Sequence, residues 1–568
     1  MSTSFSAGPT ASASGTPTRS SRLRWLAGAL AGLLAGTAAV AASEAVAALL
    51  TGVSSPLFAV GNRAIDLTPR PLKEFAIRTF GDYDKPVLIG SVIATVALLA
   101  AVAGALGVRR PRLALAVFVA LSLVAAAAAV TDRAATAAPA VRLLPALALL
   151  VVGLLALPLL LRTLRTPRRA HPAAPAQPHG LQQVARADEG KPRLLIHDVL
   201  PARVDGEDLP AAFDRRAFLQ TALAVGAVAA VGGGVRQTFG GSAAASERVD
   251  VRLPRPAAAA PALASGTSLD VPGVSPFLTS NKDFYRVDTA LRVPDVPIQG
   301  YTLRIHGMVD TEVELSYEEL LQRRMVERRI TLTCVSNPVG GEYLGTATWL
   351  GVPVRDLLEE AGVRGGADAV KSTSADDMTI GTPLQALTDP GRDALIAVGM
   401  NGEPLPLAHG FPVRMVVPGL YGYVSATKWL VDLEVTRFRD FRAYWSTRGY
   451  SAEAPIKTSS RIDVPRSFAR VRAGQQVPIA GVAWSQDRGI EAVEVRVDGG
   501  PWREARLAEQ DNIDTWRQWV AMWTPEPGNH TIEVRATDAT GYTQTDERAP
   551  IAPNGATGWH SVNVTAGA

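Results

Sequence analysis

Four apolar stretches early in the chain, at about 25–50, 87–107, 113–130 and 141–161, are each long enough to cross a bilayer, which takes about 20 residues of helix. Four such lengths in close succession point to a membrane bundle rather than to buried helices of a soluble core. Arginine marks alternate ends of the stretches. Arg19, Arg22 and Arg24 precede the first, Arg109, Arg110 and Arg112 separate the second from the third, and Arg162, Arg165, Arg168 and Arg169 follow the fourth. Basic flanks face the cytoplasm. The pattern therefore predicts a disordered cytoplasmic N-terminus at 1–24 and a four-helix transmembrane region at 25–161.

Residues 162–216 are rich in Pro, Ala and charge with no sustained apolar period, the composition of a cytoplasmic linker. Asp214-Arg215-Arg216-Ala217-Phe218-Leu219 and a modest apolar run follow. This is a fifth span at 217–236 whose paired arginines either resemble a twin-arginine export signal or serve as an ordinary positive-inside flank. Both readings put everything after about residue 240 outside the cytoplasm, with the chain as a multi-pass protein of the cell membrane. Glu44 is the one acid in the first stretch. It is a functional residue within the membrane or a side chain reaching for the interface. The seven histidines all lie outside the spans, so no haem is expected between the helices.

Beyond this region the composition is that of a soluble protein. Residues 237–273, rich in Ala, Pro and Ser, read as a flexible tether. From 274 to 462 short strand-like runs mix with helical pieces: Tyr301 to Gly307 alternates like a strand, Ser316 and Glu319 form a capping-box pair, and a helix from Val354 ends at Gly362. That is an α+β domain. From 463 to 568 only strands and turns remain, with alternation at Val493, Val495 and Val497 and again at Ile532 and Val534; this suggests an all-β, immunoglobulin-like sandwich. The formal charge of +4 is mild and no basic block is interleaved with aromatics, which argues against nucleic acid as a partner.

The chain has a single cysteine, Cys334. A lone cysteine forms no internal disulfide and cannot build a zinc site or an iron–sulfur cluster unaided. Three roles are open: a small buried hydrophobe, a nucleophile with His409 as its base, or the sole protein ligand of a metal held otherwise by an organic cofactor.

The surrounding motifs are Thr331-Leu332-Thr333-Cys334-Val335-Ser336-Asn337, then Ala347-Thr348-Trp349-Leu350-Gly351-Val352-Pro353-Val354. Further on come Met400-Asn401-Gly402-Glu403-Pro404-Leu405-Pro406, His409-Gly410-Phe411-Pro412-Val413-Arg414 and Lys428-Trp429-Leu430. With Asn281 and Phe284-Tyr285 upstream, this ordered set resembles the sulfite oxidase family over about 274–460, and the sandwich resembles that family's dimerisation domain. The resemblance implies molybdenum bound by the Cys334 thiolate and one molybdopterin, with one metal per chain and no haem or iron–sulfur cluster. It implies that Asn281, Tyr285, Ser374, His409, Arg414, Ser425, Thr427 and Lys428 hold the cofactor, that Arg286 faces substrate or pterin, and that two chains pair through the sandwich.

Two departures stand out. The stretch after the cysteine, Asn337-Pro338-Val339-Gly340-Gly341, lacks the arginine of animal and plant sulfite oxidases, and Met378 stands where their active-site tyrosine does. Losing a desolvated charge partner costs an anion about 2–5 kcal/mol. The expected activity is oxygen-atom transfer on a small oxyanion, with reduction of a sulfoxide or N-oxide as the alternative, and a non-catalytic scaffold as the rival from another class. Electrons would pass to a separate cytochrome or a membrane quinone.

Overall fold

The computed structural model describes residues 19–164 apart from short stretches between 51 and 136, residues 219–227 and 230, and residues 242–567. Most of the expected N-terminal tail, the linker and much of the fifth span lie outside the described residues. The chain divides into two units, Met1–Gly240 and Gly241–Ala568.

In the first unit four helices are long and apolar enough to cross a membrane, at Arg24–Ala48, Lys85–Gly107, Pro111–Val130 and Pro139–Thr163. A shorter helix, Pro56–Leu67, was not anticipated; its Pro56 supplies the start that proline favours. The helices approach through small residues. A Cβ on Gly32 would lie 2.0 Å from the Ala100 carbonyl oxygen, and one on Gly104 would lie 2.1 Å from that of Gly28. Close approach of this kind is how apolar helices gain packing where no hydrophobic effect drives them together. Glu44 does not reach outward: it is buried in the bundle and accepts a hydrogen bond from Ser55 Oγ.

The second unit opens with a correction. Residues 242–273 are not a free tether. Ser242 caps a helix at Ala243–Asp250, Arg248 pairs with Glu403 at 2.9 Å and donates to the Leu405 carbonyl, and Ala257 N donates to Met325 O. Leu269 N donates to Gln518 Oε1. The docking runs through backbone groups bonded to scattered polar side chains such as Asp295, Glu327 and Gln518 rather than through an apolar stripe, so periodicity carries no trace of it.

Two sheets follow. One has the order β2-β1-β10-β5-β6, with β1 Thr302–Gly307, β2 Val313–Ser316, β5 Ala369–Ser374, β6 Thr379–Pro383 and β10 Leu430–Thr436. The other pairs β3 Val326–Thr333, β4 Leu344–Pro353, β7 Leu395–Met400 and β8 Glu403–Pro404, with β9 Arg414–Val416 on β7. The capping box of Ser316 and Glu319 forms as the spacing requires. The helix Val354–Ala361 stops at Gly362, whose φ of 70° is left-handed. Beyond 459 two further sheets, β11-β13-β17-β16 and β12-β19-β18-β14-β15, enclose a core built on Trp519, Val493, Ile532 and Val534. They make an all-β sandwich, as the alternation predicts.

The membrane-type bundle yields a test. Gly32→Val must push the Ala100 backbone away and should destabilise the first unit by about 1–3 kcal/mol. Gly90→Val, with nothing within 4 Å of its added Cβ, should leave thermal unfolding in detergent almost unmoved.

Candidate active site around Cys334

Cys334 follows the last residue of β3, and its backbone N–H still reaches across to Tyr343 O at 2.9 Å. The chain then turns back on itself. Asn337 N donates to Cys334 O, and Asn337 Oδ1 receives the Tyr343 N–H. This turn aims the Ser336 N–H at the thiol sulfur, 3.4 Å away. Cys334 as a whole residue is 8 % exposed. Burial pushes its pKa up, while Ser336 and Lys428 pull it down. A cationic metal removes the burial penalty by replacing the proton.

The sulfur opens on a cleft with about 880 Å³ of empty space, its mouth included. Arg414, the first residue of β9, is 4 % exposed. Its Nη1 donates to His409 O at 3.1 Å and its guanidinium lies 4.9 Å from the centre of the Trp349 ring. Its Nε has no partner. Burial lowers its pKa to about 10, so the site favours an anion beside it. Lys428, whose side chain is 11 % exposed, has its pKa lowered to about 8 by desolvation. Its Nζ holds Asp288 at 2.8 Å and lies over Trp429. A side chain on Gly410, whose φ is 110°, would press on Arg414 Cβ and Lys428 Cβ at 3.0 and 3.1 Å. Glycine here lets both cations share one wall.

His409 is held neutral: burial, with Arg414 next, lowers its pKa to about 4. Its Nε2 sits 3.2 Å from Asn281 O, and the tautomer that donates there leaves Nδ1 as an acceptor. Phe284 packs edge-on to His409 and Trp349 and stacks on Tyr285. The Tyr285 phenol is pushed far up by burial and then by the neighbouring Cys334, so it remains a hydrogen-bond donor at every working pH.

Of the residues expected from sequence, Tyr285, Cys334, Ser374, His409, Arg414, Thr427 and Lys428 line the cleft together. Three do not. Asn281 spends its side chain on Asn401 and Met400 O and brackets the loop behind His409. Ser425 donates to Leu420 O and Tyr421 O, as a buried serine does when it closes a helical turn. Arg286 is not among the lining residues and pairs with Asp288 at 2.8 Å. Sequence reasoning missed Asp288, Asp376, Tyr423, Trp445 and Tyr450, all in the cleft wall. Their one signal was a pair of acids placed near expected cations and in the turn after Ser374.

A second cavity is lined by strands of both sandwich sheets, along Met522, Trp523 and Arg496. It holds none of this chemistry.

The family described as "Oxidoreductase molybdopterin binding domain" matches residues 290–445. Sulfite oxidase of Gallus gallus is 32 % identical over 324 residues, covering 48 % of this chain and 70 % of that protein. The chain belongs to the sulfite oxidase family. Mitochondrial sulfite oxidase of Mus musculus is 30 % identical over 325 residues. The match spans 58 % of that relative's length. Among solved structures, the sulfane dehydrogenase SoxCD of Paracoccus pantotrophus aligns with a TM-score of 0.45 at 22 % identity, covering 53 % of this chain and 85 % of that one.

The sandwich reaches the loop that follows Cys334. His560 packs on Gly340, where an added Cβ would meet its ring at 2.2 Å, and its Nδ1 accepts from Ile462 N. Burial lowers the His560 pKa to about 4, below the ordinary 6.5. The unfolded chain therefore takes up the proton first, so stability present above pH 6.5 is lost as pH falls toward 4. Thermal unfolding of the full chain followed over that window should show a slope of up to about one proton from this residue, and His560→Gln should flatten it.

Proposed function

We propose that this chain is a membrane-anchored enzyme that transfers an oxygen atom at a single molybdenum centre, with its second unit outside the cytoplasm. One observation carries the reading: a buried thiol faced by the Ser336 N–H opens on the same cleft as a buried arginine whose Nε lacks a partner. A thiol of this kind suits a soft metal. An unpartnered guanidinium edge suits a phosphate. Among the described residues no three His, Cys, Asp or Glu side chains gather to hold a metal, which leaves the remaining ligands to the cofactor.

Residues of this chain fit that group as follows. Cys334 binds the metal. Arg414 and Lys428 balance the pterin's phosphate, Lys428 retaining Asp288 as its counter-ion. His409, neutral, and Ser374 offer hydrogen bonds to the pterin's polar edge, and Thr427, whose hydroxyl is bonded to Ser372 Oγ at 2.6 Å, supports the wall between them. Tyr285 donates from its phenol. Asn281 acts through the loop it brackets, Ser425 through the turn it closes, and Arg286 by sharing Asp288 with Lys428. When bound, the cofactor supplies a two-electron redox centre with an exchangeable oxo position.

Four apolar helices with basic alternate ends support a membrane anchor, and the positive-inside pattern together with a fifth span supports an outer location for the cleft. In this plan residues 162–216 are a cytoplasmic linker and 217–236 a fifth span. The sandwich, of immunoglobulin-like type, pairs two chains. Electrons pass to a separate cytochrome or to a quinone at the membrane.

Full-length protein from a cofactor-competent host should hold about one molybdenum and one pterin per chain, read by elemental analysis and by fluorescence after oxidation. Cys334→Ser should abolish turnover while leaving the thermal unfolding of the second unit intact. A folded chain that takes up neither metal nor pterin overturns the reading in favour of a scaffold.

A further inference from the structure

The turn between β11, Ser459–Val464, and β12, Arg470–Arg472, carries the most exposed large apolar side chain described in the second unit. Phe468 is 83 % exposed, and its φ of 64° is left-handed. Ala469 N donates to Arg466 O at 3.0 Å, so Phe468 stands third in a four-residue turn. That position at positive φ favours glycine or asparagine, and a bulky residue there is an outlier. The strain is held from outside: Phe468 N donates to Asn563 O, and Thr565 N donates to Ala469 O at 3.0 Å. The fold therefore keeps a strained aromatic ring fixed in solvent, outside the core of the sandwich.

Positive charge surrounds it. Arg466, Arg470 and Arg472 are all exposed, and none has an ion pair among the described residues. Arg470 and Arg472 pair in register with Thr565 and Gly567 of β19, His560–Gly567, and stand on the outer face of the sheet while Val471 packs on the core. Across that face come Ser561, Asn563 and Thr565 on β19, then Asn529 and Thr531 on β18, Gly528–Asp538, all exposed and uncharged. The first acid met, Glu533, is held by Arg496 at 2.7 Å. Asp463 in β11 is held by Arg461 at 2.7 Å, and Glu526 lies past the far end of β12, in the turn beside Gly474. Arginines on an edge strand deter pairing with another strand, but that role does not call for phenylalanine at a positive φ.

A fixed aromatic tip within unneutralised positive charge complements the interface of a bilayer, where rings sit at the level of the headgroups and basic residues meet anionic lipid. A protein partner would need acids placed to match three separate guanidinium groups, whereas a fluid layer of phosphates meets them wherever they stand. The four apolar helices would bring such a layer close. Resting on the membrane-anchor reading above, we propose that the sandwich docks on anionic phospholipids of the outer leaflet through this turn, with Phe468 entering the interface and Arg466, Arg470 and Arg472 binding headgroup phosphates. Each arginine near such a surface strengthens binding about fivefold. Held both by its spans and by this turn, the chain keeps one orientation of the sandwich toward the membrane.

The test uses the full-length chain in nanodiscs, a single chain to each disc, made of phosphatidylcholine alone or with about one third phosphatidylglycerol. Hydrogen exchange of residues 466–473, followed by mass spectrometry, should be about tenfold slower in the anionic discs, and high salt should remove the difference. Phe468→Gly, which suits the turn, should exchange at nearly the same rate in both discs. So should the triple variant Arg466→Ser, Arg470→Ser, Arg472→Ser. Phe468→Gly should also leave the unfolding midpoint of the second unit unchanged or higher, because the strain goes with the ring. Equal exchange of the wild type in both discs overturns the inference, as does a Phe468→Gly variant that keeps the lipid-dependent slowing or unfolds at a lower temperature. Slowing in detergent that grows with protein concentration assigns the turn to a second copy of the chain and overturns it as well. In each of these cases a chain that resists extraction by alkaline carbonate keeps its anchor; a chain that washes off the membrane overturns the anchor and the inference together.

Discussion

Arg414 carries its charge into a wall where the protein gives it one backbone carbonyl and the face of Trp349. An isolated charge in such a place is expensive, and a few tenths of the deficit at most come back from a cation–π contact of ordinary strength. The neighbourhood is arranged around that cost. His409 is neutral because a second positive charge beside Arg414 is unfavourable. Lys428 is kept charged by Asp288, which it shares with Arg286. Gly410 has no side chain because the two cations converge there. The Tyr285 phenol stays protonated between a thiol and a guanidinium. Each feature follows from bringing positive charge to a buried wall and leaving part of its hydrogen-bonding capacity open for an anion.

The cysteine depends on a different part of the chain. Its strand is fixed from the sandwich side by long-range contacts. Gln486 donates from Nε2 to Thr331 O and Thr333 Oγ1, and Trp516 N donates to Thr331 Oγ1. Arg329 and Asp511 form a buried, two-pronged pair. Beyond the cysteine, Arg461 Nη1 donates to Gly341 O while His560 covers Gly340. A ligand that must stay within a fraction of an ångström of one geometry needs such outer support. The sandwich therefore belongs to the site physically, since the residues flanking Cys334 on both sides owe part of their position to it.

Much of this was legible in the sequence because it rests on short-range rules. Helix lengths and basic flanks announce the bundle, Ser316 with Glu319 announces a cap, and Gly362 announces a helix end that only a left-handed residue provides. The cleft was legible in outline because Cys334, His409, Arg414 and Lys428 are chemically distinctive. What stayed hidden was decided by where side chains spend their hydrogen bonds. Ser425 has the right chemistry and adjacency, yet its hydroxyl closes a turn. Asn281 and Arg286 lie near the wall in sequence but are committed elsewhere. Asp288 and Asp376 are ordinary acids on loops until folding buries them. The segment at 242–273 was missed for the same reason, since its backbone does the binding.

The two units solve opposite solvation problems with opposite residues. The helices of the bundle, long and apolar enough to cross a membrane, meet through glycine and alanine contacts that allow backbones to approach, as at Gly32 and Ala100. The few polar side chains there are satisfied within the bundle: Ser55 on Glu44, Asn62 on Asp132 at 2.9 Å, and Arg142 on the carbonyls of Asp132 and Ala137. In the second unit water competes for every polar group, so cores are built from large side chains such as Trp349, Trp429 and Trp519, and the buried side-chain atoms left without a partner include Thr267, Tyr317 and Trp519 outside the cleft. That three of those unpartnered atoms, on Arg414, Ser374 and Asp376, fall in one cleft with the only thiol is the feature a purely structural fold has no reason to keep. Stability alone would have replaced each with a hydrocarbon of similar size.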